Sequence, residues 1–583
     1  MTNLTINFNS LLILFLINLI ICTLGRRFLT YKGLQLILIF NSLLLLSFCT
    51  YFWKDFILNY RVDNFSFKLN PNTWTNIIYE MNFKIDNLSF LFIFLVIIIG
   101  FCTNIYILNY FKYEEREEEF MLLINWFIFS MIVLVSGNNF FTLILGWELI
   151  GLTSFLLINF WKFKFITLSC SFKAFCFNKF SDLFLMIFFC LLWNMFKINT
   201  IDVILITLEI NPLYNNNMLI FSCICLLLCA SIKSAQFIGH LWLPDSMEAP
   251  VPASSLIHSA TLVSAGIYLI LKFQILFILS NILNILIYLG SITACYGGLV
   301  AASQSDLKKI LAYSTISHCG FIFVTLGLNN FVLTTIYLYL HGLFKAVTFF
   351  CAGSLIKYNN SQDTRLMGML KNQLVNTLTI IFSSINLGGL PFTFGYLYKK
   401  IFLYETILSN VNIFNYGCLI MGLLSSVVYV YKLIYYSSFD IRKGYFQKFL
   451  ISLQNYRKLI NLNFFLYTNS HLISTTIIYI YCFFFFFILN YFVLKFYIII
   501  NYLPQYLTNE LNFMYNIFFL KKYMISIFYS LFLLVIITLY LNNTRKNYFY
   551  LQNINLIVNI ILFILFYNII NFFGKLLFVL VLI

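Results

Sequence analysis

The chain has 583 residues, 61% of them hydrophobic and only 10% charged, with a mean hydropathy of +0.90, whereas soluble domains carry roughly 45–50% apolar residues. Apolar runs near the roughly 20 residues needed to cross a bilayer as helix recur along almost the whole length, which excludes a sizeable soluble domain and indicates a polytopic membrane protein. The net charge of +16 does not point to nucleic acid, because Lys and Arg gather in short connections instead of on one face of a folded domain.

The first apolar run, Leu11 to Leu24, follows no basic segment and precedes Arg26, Arg27 and Lys32, so no cleavable presequence is expected. Helices are predicted near 8–25, 33–53, 87–109, 120–137, 140–161, 180–197, 217–240, 252–272, 275–301, 308–328, 331–356, 372–404, 411–436, 472–500, 521–542 and 556–583. Runs such as FLFIFLVIII (91–100) do not alternate, which rules out the strands of a membrane barrel. The expected fold class is therefore all-α, with about 15–16 transmembrane helices. The 14 cysteines form no CxxC pair, so buried thiols are expected and a metal site or iron–sulfur cluster is not. The 70 Phe and 39 Tyr are spread through every apolar run and read as lipid-facing and core filler, consistent with an AT-biased coding genome.

Basic residues cluster after odd-numbered predicted helices: Arg26, Arg27 and Lys32; Lys162 and Lys164; Lys308 and Lys309; Lys357 and Arg365; Arg442, Lys443, Arg457 and Lys458; Arg545 and Lys546. The positive-inside rule places those connections in the negative compartment. The acidic run EEREEE (114–119) falls on the same side, where acidic residues contribute little to orientation.

Charges inside the spans are costly and point to function. Glu148 is the only charge in FTLILGWELIGLTSFLLINFW (141–161); it is either a relay carboxylate or a neutral carboxyl hydrogen-bonded to a neighbouring helix. Lys233 follows MLIFSCICLLLCASI, too deep to snorkel easily, and its proton affinity would be set by burial against a carboxylate partner. Pro244, Pro250 and Pro252 interrupt the helix near 233–252. His240 beside them reads equally as an interfacial helix-end residue or a functional one. His258 lies among small residues and is either satisfied structure or a proton carrier.

The second half repeats this pattern. His341 and Lys345 in YLHGLFKAVTFF share a helix face, and Lys399 follows NLGGLPFTFGYLYK, whose Gly388, Gly389, Pro391 and Gly395 predict a second break near 388–395. Two such interruptions, each with a buried-looking lysine, are the sequence mark of inverted transporter repeats. The expected organisation is N-terminal helices over 1–110, one repeat over 111–272, a second over 273–436 and C-terminal helices over 437–583. Asp182, close to Lys179, reads first as half of a local ion pair, and Asp306 as a helix-start residue.

The segments GWELIGLTSFLLINFW, KSAQFIGHLWLPDSMEAPVPASSLIHSATLVSAG, SDLKKILAYSTISHCG, HGLFKAVTFFCAGSLI and QDTRLMGML occur in one order and spacing. They resemble the chain 5 family of NADH:ubiquinone oxidoreductase, respiratory complex I, in its mitochondrial form, over about residues 85–436. The resemblance implies an antiporter-like, proton-pumping membrane-arm subunit of the mitochondrial inner membrane, organelle-encoded, with no cofactor of its own. FMN, iron–sulfur clusters and ubiquinone would reside on other subunits. It implies that Glu148 pairs with Lys233, that His258, His341 and Lys345 form the central relay, that Lys399 is the exit-side lysine, and that Asp182 communicates with the adjacent antiporter-like chain 4. Accessory subunits and lipids such as cardiolipin are the other implied partners.

Three departures from the family pattern stand out. Lys400 occupies a position usually Asp, making the field around Lys399 more positive. His318 occupies a position usually Gln, either adding a titratable group near the relay or replacing its hydrogen bonds. Only residues 543–555 separate the last two apolar segments, too few for the family's long lateral helix, which is then lost, shortened or supplied by another chain. The alternative functional class is a subunit of a multisubunit cation/proton antiporter, which shares the core motifs; a proton-inactive scaffold would have lost Glu148, Lys233 or Lys399, and all three are present.

Overall fold

The computed structural model describes residues 8–436, apart from short stretches at 28–30, 59–61, 70–78, 112–113, 115, 211–215, 360, 368–373, 391–392 and 410. The expected helices near 472–500, 521–542 and 556–583, their basic clusters and the question of the lateral helix lie outside the described residues, as does Pro391.

Two helices open the chain, α1 (Phe8–Leu24) and α2 (Tyr31–Leu58), followed by an antiparallel strand pair, β1 (Asp63–Leu69) and β2 (Tyr79–Ile85), in which Asp63 faces Ile85. Then come α3 (Asn87–Tyr110), α4 (Glu117–Ser136), α5 (Phe140–Ile158), α6 (Phe165–Phe196), α7 (Ile201–Ile210), α8 (Asn216–Lys233) and the single turn α9 (Trp242–Asp245). The remainder are α10 (Val251–Ser259), α11 (Leu262–Lys272), α12 (Gln274–Leu279), α13 (Leu283–Ser303), α14 (Leu307–Gly327), α15 (Phe331–Asn359), α16 (Leu374–Gly388), α17 (Phe394–Leu408) and α18 (Ile413–Ile434). Among the described residues 10 helices are long and apolar enough to cross a membrane, α10 and α11 together forming one of them, with shorter apolar helices in α1, α8 and α16.

The strand pair departs from the all-helical expectation. Its cause is local: Phe65, Phe67 and Leu69 alternate with Asn64, Ser66 and Lys68, and the second strand repeats the period-two pattern. The pair docks on the α4–α5 turn, where the Asn138 N–H donates to Asn82 O at 2.9 Å. Helix α6 begins at Phe165, well before the predicted start near 180, because the lysines that interrupt its hydropathy are neutralised from neighbouring elements. Lys173 pairs with Asp245 at 2.6 Å, and Lys179 with Glu148 and, at 3.3 Å, Asp182.

Two sides of the bundle follow from contacts between turns. Lys272, ending α11, donates to Gly137 O in the α4–α5 turn, so those ends share one side. Lys432, near the end of α18, donates to Ala302 O at 3.2 Å and to Gln304 O in the α13–α14 turn, which marks the other. On that second side Arg26 pairs with Glu118 and Glu119 at 3.3 and 3.0 Å, and Lys357 donates to Tyr110 O. The acidic run thus has a docking role there. Two hydrogen bonds, from Leu307 N to Gln362 O and from Thr364 N to Ser305 O, both 3.0 Å, tie the α13–α14 turn to the segment after α15. Hydrogen bonds from Arg365 in that segment hold the Asp363 carboxyl below its ordinary value. Close backbone approach sets the second half: a Cβ on Gly290 would lie 2.6 Å from Gly320 O, so α13 and α14 meet where neither carries a side chain.

Candidate functional site

The first break begins where α8 ends. Ala235 adopts φ 53, which turns the chain out of the helix, and the freed carbonyls find new donors: Gln236 N reaches Ser231 O at 2.8 Å and the Trp242 indole reaches Ile232 O at 2.9 Å. Pro250 then precedes α10, whose first turn contains Pro252, a position where the missing N–H is harmless. Lys308 from α14 closes the break, donating to Met247 O at 3.1 Å and Ala249 O at 3.0 Å. The segment 234–250, helical only in the single turn α9 and the 3-10 turn Ser246–Glu248, is held by these contacts.

Lys233, at the last turn of α8, is fully buried. Its amine donates to Trp147 O at 3.1 Å and lies 4.4 Å from the centroid of the Trp147 ring. Gly151 lies beside it, a Cβ there falling at ordinary contact distance, 3.9 Å, from the amine. Glu148 does not hold Lys233: no hydrogen bond or ion pair joins them among the described residues. Glu148 is instead engaged by Lys179, which also pairs with Asp182, so one ammonium is shared by two carboxylates. The geometry of α5 explains this, because Trp147 presents its carbonyl and ring toward α8 while Glu148 points to α6. The Glu148 and Lys179 side chains are 36% and 45% exposed although both lie in the middle of spans.

Further along, His258 on α10 is fully buried, with Nε2 at 3.2 Å from Ser246 Oγ and its ring stacked on Phe349. His341 and Lys345 sit one turn apart on α15, which packs against α10 and α14. Lys345 donates to Leu311 O at 3.1 Å and to Ser314 Oγ. The ring of His341 is centred 5.2 Å from that of His318 on α14.

The second break mirrors the first in its cause. Gly389 takes φ +71, a conformation open to glycine, and both its N–H and that of Leu390 return to Ile385 O at 3.0 and 3.2 Å. Thr393 restarts the helix by accepting from Tyr396 N at 3.2 Å. Lys399, one turn into α17, donates to Gly388 O and Ser426 Oγ, each at 2.9 Å. Lys400 is exposed on the other face of α17, so it does not join the groups that line Lys399. A cavity of about 10 Å³ is lined by His318, Tyr337, His341, Asn386, Tyr398 and Lys399 among others.

Several buried polar atoms along these elements have no hydrogen-bond partner among the described residues: Trp147 Nε1, both amide atoms of Asn178, His258 Nδ1, His341 Nε2, Asn386 Oδ1 and Tyr398 OH. Together with the three lysines they form a buried polar axis crossing both breaks. The axis includes Lys308, Ser314 and Ser426, and the half-exposed Lys179 lies at its edge; sequence reading left these out or underrated them, because only their partners across the fold give them a role. His240 is placed at the edge, with Nδ1 at 2.5 Å from Phe237 O and Nε2 at 3.2 Å from Tyr296 OH. Among the described residues no group of three or more His, Cys, Asp or Glu could hold a metal ion.

Comparison with known proteins agrees with this architecture. Residues 137–426 match the family described as NADH:quinone oxidoreductase/Mrp antiporter, transmembrane. NADH-ubiquinone oxidoreductase chain 5 of Paramecium tetraurelia is 45% identical over 380 residues, covering 63% of this chain and 66% of that one. The chain 5 of Wickerhamomyces canadensis is 35% identical over 441 residues, covering 73% and 66%. This chain thus spans just under two thirds of the length of these relatives. Among solved structures, a chain of the membrane-bound sulfane sulfur reductase, an archaeal respiratory membrane complex, superposes with a TM-score of 0.64 at 16% identity, covering 81% of this chain and 97% of that one. The Mrp complex from Dietzia sp. DQ12-45-1b gives 0.60 at 22%, covering 74% and 46%. With the two breaks, the buried lysines and the long sequence match in agreement, residues 137–426 of the chain are a transmembrane domain of the NADH:quinone oxidoreductase/Mrp antiporter family.

Proposed function

We propose that the chain is a proton-translocating membrane-arm subunit of respiratory complex I, part of the H+-translocating NADH:ubiquinone reductase of the mitochondrial inner membrane. One observation carries this reading. Lys233, Lys345 and Lys399 lie at membrane depth with exposures of 0%, 0% and 7%, and carbonyl and hydroxyl oxygens accept from their amines, with no carboxylate in ion-pair range among the described residues. A permanent charge so placed is costly, whereas a group that takes up and releases a proton serves translocation. The identity to curated chain 5 relatives supports complex I over a cation/proton antiporter.

The uptake end is the Glu148, Lys179 and Asp182 cluster. Two unit charges 4 Å apart interact by about 4 kcal/mol at an effective dielectric of 20, while moving one charge through 100 mV costs about 2.3 kcal/mol. Transfer of one carboxylate from Lys179 to Lys233 is therefore enough to change the occupancy of Lys233 by a proton. From Lys233 the proton moves by way of His258, His341 and Lys345 to Lys399, which releases it. The redox energy comes from elsewhere: FMN, iron–sulfur clusters and ubiquinone belong to other subunits, and this chain binds no cofactor of its own.

The organisation that supports this is a first repeat over 111–272 and an inverted second over 273–436, flanked by N-terminal helices over 1–110 and by 437–583. Charges exposed at mid-span cannot face lipid, so the Glu148 and Lys179 side meets the adjacent antiporter-like chain 4. Accessory subunits and anionic lipids such as cardiolipin meet the basic loops, and a separate chain stands in for the lateral helix if residues 437–583 do not form it. The gene is organelle-encoded.

The test is Lys233→Met in the assembled complex. Assembly should be retained while coupled turnover and proton pumping fall by about 10²-fold, the low end of the effect of a positioned proton carrier. Native pumping stoichiometry and rate in that variant would count against the relay.

A further inference from the structure

We propose that His318 is a further proton-carrying residue, linking the His341 side of the buried cavity to Tyr429 and so to Lys399; this rests on the translocation reading above. His318 is 1% exposed on α14 and lies between two phenols, with Nδ1 hydrogen-bonded to Tyr337 OH of α15 and Nε2 at 3.1 Å from Tyr429 OH of α18. A neutral imidazole offers one donor and one acceptor, and a phenol hydroxyl can do either. Both tautomers of His318 are therefore satisfied, since the flanking hydroxyls need only rotate to match whichever ring nitrogen carries the proton. His240 shows the contrast. Its Nδ1 faces the Phe237 carbonyl, an acceptor only, which fixes one tautomer and suits a structural residue.

The surroundings give the ring somewhere to receive from and deliver to. His341 is centred 5.2 Å away, its Nε2 has no hydrogen-bond partner among the described residues, and both rings line the cavity shared with Lys399. That cavity, about 10 Å³, is close to the space of one water, with Asn386 Oδ1 and Tyr398 OH as further polar groups. On the far side Tyr429 lies one helical turn from Ser426, whose hydroxyl accepts from the Lys399 amine at 2.9 Å. Tyr337 in turn stacks on Tyr398 at 3.7 Å between centroids, which holds the ring pair against the cavity.

The step conserves protons. One proton arrives at Nδ1 from the cavity through the Tyr337 hydroxyl, which gives up its own proton and gains one. The Nε2 proton leaves to Tyr429 OH, whose hydroxyl proton passes on toward Ser426 and Lys399. His318 is left as the other neutral tautomer, and before it carries the next proton it resets by tautomer exchange, its Nδ1 proton returning to Nε2 through water in the cavity.

The decisive comparison is His318→Gln in the assembled complex in sealed vesicles, with NADH-driven turnover and proton transport measured beside Lys399→Met. Gln keeps one donor and one acceptor for the two tyrosines but cannot exchange a ring proton. Turnover and transport are expected to fall together by about 10²-fold, with a larger solvent deuterium isotope effect, which a packing defect would not produce. Should that variant fail to assemble, Tyr429→Phe removes one hydroxyl and is expected to lower both in the same way. Native turnover in His318→Gln, or in Tyr429→Phe, with Lys399→Met inactive would overturn the role of His318 alone; native turnover in Lys399→Met as well would overturn the translocation reading.

Discussion

Lys308 shows how a residue that looks like a topology signal can be a structural clamp. It belongs to the basic pair at the start of α14, yet it is 6% exposed and its amine satisfies Met247 O and Ala249 O, carbonyls freed by the first break. Removing it leaves two buried acceptors without their charged donor, a loss of about 1.5–3 kcal/mol. Lys308→Met is therefore expected to lower the thermal unfolding midpoint of the complex, with Lys309→Met, at an exposed neighbour paired among the described residues with Asp306 at 3.3 Å, as the near-neutral control. Equal shifts in the two variants would remove the clamp. At this scale the sequence showed that Glu148 and Lys233 are charges inside spans, but their partners were not readable. Lys179 and Trp147 O hold them because of helix facing, a property of the packed bundle and not of spacing along the chain. Asp182 was readable as a partner of Lys179, since three residues apart on a helix already places them side by side.

The two interruptions were legible as elements because glycine and proline act on the backbone locally. What fixes their function is finer: at the second break the carbonyl of Gly388 accepts from Lys399, and a Cβ on Gly389 would sit 2.6 Å from Lys399 Cδ. Gly389→Ala then has two effects, about 1–2 kcal/mol of left-handed strain and displacement of the lysine. Proton transport is expected to fall by more than that strain alone would cause, with assembly, followed by native gel electrophoresis, reduced only slightly. Transport loss matched by an equal loss of assembled complex would show strain without displacement. The β1–β2 pair and the early start of α6 were missed for opposite reasons. The strands carry a clear alternation that the search for long apolar runs passes over, whereas the first half of α6 carries lysines whose neutralisation by Asp245 and Glu148 is tertiary.

Across the whole molecule the charge asymmetry and the hydrogen bonds between turns give one topology. Arg26, Lys309, Lys357 and Arg365 lie at the ends tied together by the Arg26–Glu118, Lys357–Tyr110 and Lys432–Gln304 contacts, while the β1–β2 pair, the α4–α5 turn and the end of α11 lie opposite. Asn281 and Asn329, both exposed in turns with φ 55 and 58, belong to that opposite side, since each lies one span away from the α13–α14 turn. Positive charge on the first set places it in the negative compartment. Cysteines introduced at Lys309 and Arg365 should react with a membrane-impermeant maleimide only from that compartment, and cysteines at Asn281 and Asn329 only from the other. Labelling of Asn281→Cys and Arg365→Cys from the same side would break the alternation of spans, and with it the opposed orientation of the two lysine-bearing breaks that a proton path across the membrane requires.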